Sequence, residues 1–153
     1  MSDALDSEPA DESLVYHGQL YPLPPREDDD SYDGPQLLGY TTGGTGMGFS
    51  YYSSSGPAVT LKTWGQGPGG PTALYQHNGC VRRLSPFEAL RMHSFSDETI
   101  SLLKEMWREG VLSWEDLYRM AGNSIPVGML SEVIRSLLTV VEPQMYWDRM
   151  AGN

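Results

Sequence analysis

Two different patterns of apolar and polar positions divide this chain near residue 85. After it, apolar residues recur at helical spacing between clear start and stop signals. Ser85-Pro86-Phe87-Glu88 places a serine at an N-cap, a proline at the first helical position and a glutamate at the third, which predicts a short helix to about His93. Ser96, Asp97 and Glu98 open a second helix with Ile100, Leu103 and Trp107 on one face and Gly110 as its stop. Ser113 with Asp116 opens a third, which Gly122 is expected to end. Pro126 begins a fourth, in which Val127, Leu130, Ile134, Leu137 and Val141 repeat at helical spacing until Pro143, with Val133 and Leu138 widening the stripe. So amphipathic a helix needs a surface to lie against.

Before residue 85 the apolar positions come in short runs broken by glycine. Residues 58–63, Ala-Val-Thr-Leu-Lys-Thr, carry β-branched side chains and end at a glycine cluster, so they predict a strand. Residues 72–76 and 80–84 flank His77-Asn78-Gly79, and Asn-Gly supplies the positive φ angles of a tight hairpin. The fold class expected is α+β: a small glycine-rich β lobe over 36–84, then four short-to-medium helices over 85–142. Residues 143–153 are a C-terminal tail, and 1–35 an acidic, proline-rich tail expected to be disordered.

Charge sharpens that division. The chain of 153 residues has a formal net charge of −10. Ten of its acids fall within residues 1–35, against the single base Arg26, while the remaining residues hold nine bases and ten acids. A general electrostatic grip on nucleic acid needs a basic surface, and the chain as a whole lacks one. With five prolines and few apolar residues, the front segment cannot bury enough surface to offset its ordering entropy. A partner-docking peptide around Leu14-Val15-Tyr16, or an acidic DNA mimic that shields a binding surface, are the alternatives. Nothing in the residues selects between them.

Most catalytic patterns are missing. One cysteine excludes an internal disulfide and a zinc-cysteine cluster, and His17, His77 and His93 show no metal-ligand spacing, so no metal is expected. Cys80 follows a hairpin turn without an acid-base partner and reads as an ordinary strand cysteine. Residues 65–70 fit G-x-G-x-x-G, but Pro71 and a predicted strand follow where a dinucleotide fold needs a helix. A glycine loop that lets backbone approach another partner is the better reading. Arg119-Met120-Ala121-Gly122-Asn123 recurs at residues 149–153, too short to be a structural repeat. No apolar run approaches a membrane span, and an acidic N-terminus is unlike a signal peptide, so an intracellular location, cytoplasm or nucleus, and no membrane are expected.

Three ordered segments carry a specific resemblance. Residues 82–95, Arg-Arg-Leu-Ser-Pro-Phe-Glu-Ala-Leu-Arg-Met-His-Ser-Phe, resemble motif IX of the cytosine-C5 DNA methyltransferases, whose usual form is R-x-L-T-P-R-E-x-x-R-L-Q-G-F. Residues 118–127, Tyr-Arg-Met-Ala-Gly-Asn-Ser-Ile-Pro-Val, are similar to their motif X, Y-x-x-x-G-N-S-V-P-V. Upstream, residues 55–61, 67–70 and 73–75 resemble the end of the family's target-recognition domain. Together these cover about residues 36–142. Phe87 stands where the family has a basic residue, and His93-Ser94 where it has Gln-Gly. The chain begins with Met1 but carries no F-x-G-x-G cofactor loop, no Pro-Cys-Gln, no Glu-Asn-Val and no Gln-x-Arg-x-Arg.

In that family a cysteine thiolate attacks C6 of a flipped cytosine, a glutamate assists at N3, and C5 takes a methyl group from S-adenosylmethionine. The resemblance implies that this chain holds the DNA-reading lobe, the motif IX scaffold and motif X, with no catalytic residue of its own. Asn123 and Ser124 would sit near S-adenosylmethionine once a catalytic partner is present. Thr60 would lie beside the flipped nucleotide's backbone. Gly65, Gly67, Gly69 and Gly70 would approach the DNA, with Arg82 and Arg83 as further contacts. On the residues alone, Asn123 and Pro126 are an ordinary helix end and helix start, and Arg82 and Arg83 ordinary solvated strand charges. The expected role is the recognition subunit or fragment of a split methyltransferase, inactive alone. Its partners would be a second chain with the missing motifs and double-stranded DNA, and self-association through residues 127–141 is also expected. The alternative is a non-catalytic, methyltransferase-derived interaction protein that modulates a partner.

Overall fold

The computed structural model describes residues 5, 11–24 and 33–140. The class is α+β. Five strands, β1 (Leu20–Pro22), β2 (Leu37–Thr41), β3 (Ser50–Ser53), β4 (Leu74–His77) and β5 (Cys80–Arg83), form one mixed sheet in the order β1-β2-β3-β4-β5. Four helices follow: α1 (Pro86–Met92), α2 (Asp97–Arg108), α3 (Trp114–Asn123) and α4 (Val127–Val140).

The β4–β5 hairpin closes as expected, with Asn78 at φ 48 and Gly79 at φ 82, both left-handed as a two-residue turn requires. The strand expected over 58–63 does not form. Because β3 and β4 run parallel, the chain between them has to cross over, and these residues are that crossover. Their amides find other acceptors: Val59 N donates to the Tyr75 hydroxyl at 3.1 Å and Lys62 N to the Pro71 carbonyl at 3.0 Å.

The front segment also differs from expectation. Residues 1–4, 6–10 and 25–32 lie outside the described residues, but 11–24 are folded onto the lobe. Asp11 caps a 3-10 turn at Glu12–Leu14, and Leu14 is buried at 1% exposure. Val15 then bridges Arg82 of β5, while β1 pairs antiparallel with β2. Residues 15–22 therefore run from one edge strand of the curled sheet to the other. Composition suggested a tail throughout; over residues 11–24, the buried Leu14 and the open edges of a small sheet hold the chain instead.

Helix starts follow the local signals. Ser85 and Glu88 form a full capping box on α1, Ser96 caps α2, and Ser113 with Asp116 forms a second capping box on α3. Hydrogen bonds from Ser113 hold the Asp116 carboxyl below its ordinary range. Gly110, at φ 74, ends α2 as expected. Ile100 and Leu103 are buried with Phe87, Leu90 and Leu117, whereas Trp107 lies at the edge, its ring 5.9 Å from Phe87. Gly122 does not stop α3, which runs through Asn123. A Cβ on Gly122 would sit 2.4 Å from the Lys62 carbonyl carbon, so this glycine lets the helix touch the crossover backbone.

Helix α4 forms where expected but covers nothing. Every residue whose burial is described in it is exposed, and Val127, Leu130, Ile134 and Leu137 are 41–61% exposed. Val141, the 143–153 tail and the second Arg-Met-Ala-Gly-Asn lie outside the described residues. No helix among the described residues is long and apolar enough to cross a membrane.

Candidate functional site

The lobe from residue 36 to residue 84 contains no Asp or Glu, and its bases are Lys62, Arg82 and Arg83. The lobe's own formal charge therefore differs in sign from that of the chain as a whole, although the folded front segment brings Asp11 near Arg83.

Arg82 is not part of that surface. It is 1% exposed, and its guanidinium grips Glu88 in two parallel bonds, Nη1 to Oε2 at 2.9 Å and Nη2 to Oε1 at 2.7 Å. Ser85 N donates to the same carboxylate at 2.6 Å, so the capping glutamate of α1 is also the counter-ion of β5. The expected DNA contact at Arg82 is corrected on this ground: its charge is neutralised and its donors face inward. The motif X-like segment is tied to the same place, since the Tyr118 hydroxyl donates to the Leu84 carbonyl at 2.6 Å. Burial pushes the Tyr118 phenol up to about 12.

Arg83, half-buried, points the other way. Its Nη2 donates to the Ser13 carbonyl at 3.4 Å, and a hollow of about 240 Å³ lies among residues 13–16, Gly67, Pro68 and Arg83. The Asp11 carboxyl is held below its ordinary range by the Ser13 amide and hydroxyl first, and by Arg83 to a smaller degree.

A larger open cleft of about 520 Å³ lies between the 3-10 turn Met47–Phe49 and residues 62–66, with Gly122 of α3 at its floor. Gly65 lines it, and Gly67 (φ 75) begins the turn behind it. Gly69 and Gly70 are buried, and Gly69 N donates to the Gly48 carbonyl at 2.8 Å. They shape the loop from within; the correction is that only Gly65 and Gly67 of the four expected contacts are exposed. As expected, no helix follows this loop, so it does not frame a pyrophosphate in the dinucleotide manner. Thr60 is exposed on the crossover just before the cleft. Asn123 is exposed immediately after the floor glycine. Ser124 spends its hydroxyl hydrogen on the Met120 carbonyl at 2.6 Å, keeping its lone pairs for a donor.

Sequence patterns missed Lys62, Trp64 and Phe49, which supply the charge and the aromatic surface of the cleft. Trp64 is 69% exposed. A signal existed, since it is the only tryptophan of the lobe and sits in a glycine run with no apolar periodicity to bury it. The Lys62 ammonium, Thr63 hydroxyl and Gln66 amide give the cleft donors for anions and polar ring edges; such groups bind and orient a ligand.

Neither the family models nor the curated proteins compared with this chain give a match.

Proposed function

We propose that this chain is the DNA-recognition and cofactor-pocket-completing subunit or fragment of a split cytosine-C5 DNA methyltransferase. A second chain would carry the attacking cysteine and the main cofactor loop. The observation that carries the reading is α4: directly after the motif X-like residues, an amphipathic helix presents its apolar stripe to water, as a piece separated from its catalytic lobe would. The Tyr118–Leu84 hydrogen bond supports it by joining the motif IX-like and motif X-like segments.

In this reading Thr60, Gly65, Gly67 and Arg83 face DNA. Asn123 and Ser124 border the methyl donor, and their exposed amide and available lone pairs fit a polar nucleoside. S-adenosylmethionine, when bound, would supply the methyl group; this chain's residues orient it and hold the DNA lobe at a fixed angle. Arg82 and Glu88 act beneath the site, fixing β5 against α1.

The test is reconstitution. The full chain alone should transfer no methyl group to DNA. Mixed with a chain bearing the Pro-Cys-Gln and F-x-G-x-G motifs, it should restore transfer, and Asn123→Ala should weaken methyl-donor binding more than DNA binding. Cytosine methylation by the purified chain alone, or equal effects on both ligands, would overturn the assignment.

A further inference from the structure

Glycines around the cleft differ in why they are glycines. A Cβ on Gly48 would meet the Gln66 carbonyl oxygen, one on Gly65 would lie 2.0 Å from the Gly70 carbonyl oxygen, and Gly122 is pressed on Lys62. Packing requires all three. Gly46 has no such reason: its φ is −74 and ψ 168, open to any residue, and a Cβ there would meet nothing within 4 Å. It lines the cleft nonetheless. The missing side chain leaves room, and the fold does not use the room.

The aromatic groups show what the room suits. Phe49 is a fixed wall, its ring held within 2.8–3.2 Å of where Cβ atoms on Gly43, Gly44 and Gly67 would be. Trp64 lines the same cleft with its indole largely uncovered, which leaves an aromatic face open to a flat ligand. Lys62 adds the cation, and no carboxylate occurs anywhere in residues 36–84 to compete for it. An exposed aromatic plane, a lysine and open backbone together make a stacking platform for a base with its phosphate. The cleft volume falls in the range of roughly 300–1,000 Å³ usual for small-molecule sites.

We propose that this cleft is a nucleobase site, in which one unstacked base of single-stranded DNA lies on Trp64 with its phosphate at Lys62 and its edge over Gly46. The proposal rests on the DNA-reading assignment above and goes further, because it gives the chain affinity for a single strand without a catalytic partner.

The experiment titrates a labelled single-stranded oligothymidylate with the full chain at low salt, with the matching duplex as comparator. The wild type should bind the single strand more tightly than the duplex. Trp64→Ala should weaken single-strand binding roughly 5- to 150-fold, the equivalent of one lost base–aromatic stack, while Trp64→Phe keeps most of it. Gly46→Leu should cause a comparable loss with an unchanged thermal midpoint, since its backbone accepts a side chain. Single-strand binding unaffected by both Gly46→Leu and Trp64→Ala would remove the cleft proposal, and duplex binding that persists in those variants would leave the DNA-reading assignment standing. Absence of any DNA binding would overturn the cleft proposal, with methyl-transfer reconstitution deciding the wider assignment on its own.

Discussion

Arg82 shows how one side chain can look like a ligand contact and serve the fold. Its charge and Glu88 are both 1% exposed, and removing one partner strands the other in a low-dielectric interior. Glu88→Ala should therefore lower unfolding stability by about 3–5 kcal/mol in denaturant titration. Replacing the half-buried Arg83 by Gln should change it by less than about 1 kcal/mol, as its bond to Ser13 is long and exposed. Two of the buried tyrosines, Tyr75 and Tyr118, make a separate prediction. Burial raises Tyr75 and Tyr118 from 10.0 to about 12 in the folded protein. The folded state thus holds these protons more tightly than the unfolded chain. Their contribution to stability is full below pH 10 and is lost as pH rises towards about 12. Phenolate absorbance and circular dichroism followed together should show stability falling as pH rises above 10, with late-ionising tyrosines in the folded chain; all tyrosines ionising together near pH 10 with the fold intact would refute this.

At the scale of elements, what was legible was local. Three N-caps, two of them with the full reciprocal box, and the Asn-Gly hairpin were readable because each needs only neighbours in sequence. The crossover at 58–63 was not, since its β-rich composition says nothing about β3 and β4 being parallel. The strap at 11–22 was hidden by its acids and prolines, although Leu14 was in view. Of the residues the sequence singled out for DNA or cofactor contact, only Gly65 lines the cleft; Thr60 and Gly67 are exposed beside it in sequence. The cleft itself was not legible, because Trp64 and Lys62 come together only when the turn at Met47–Phe49 faces them. Gly122 joins both halves: it carries the helix and lets α3 meet the cleft wall. Gly122→Ala should push the Lys62 backbone from its place, costing about 1–3 kcal/mol by overpacking and speeding hydrogen exchange at the Lys62 amide, which bonds Pro71. An unchanged exchange rate there would mean that α3 and the crossover do not depend on this contact.

For the whole molecule, the deciding feature is where apolar surface remains. The strap, the curled sheet and α1–α3 bury their own cores around Leu14, Leu74, Leu90 and Leu117. Helix α4 is excluded from that arrangement, with Leu130 at 41%, Ile134 at 47%, Leu137 at 60% and Leu138 at 69% exposure. Fully burying one such side chain contributes roughly 1.5–3 kcal/mol, and an isolated helix of this length is marginal in water. A surface against α4 would therefore stabilise both the helix and the assembly. In the purified chain, the surface at hand is a second α4. The purified chain should self-associate through this stripe, with sedimentation shifting towards monomer at low concentration and helicity falling with it. Leu130→Asp should shift it further by placing a carboxylate in the stripe, while the strap, sheet and α1–α3 keep their thermal midpoint. The catalytic chain that the proposed function calls for should compete for the same face, so that adding it dissolves the homo-oligomer in proportion to the complex formed. A monomer at high concentration with full α4 helicity, unchanged by Leu130→Asp, would show that the stripe is stable in water and that neither kind of association is driven by it.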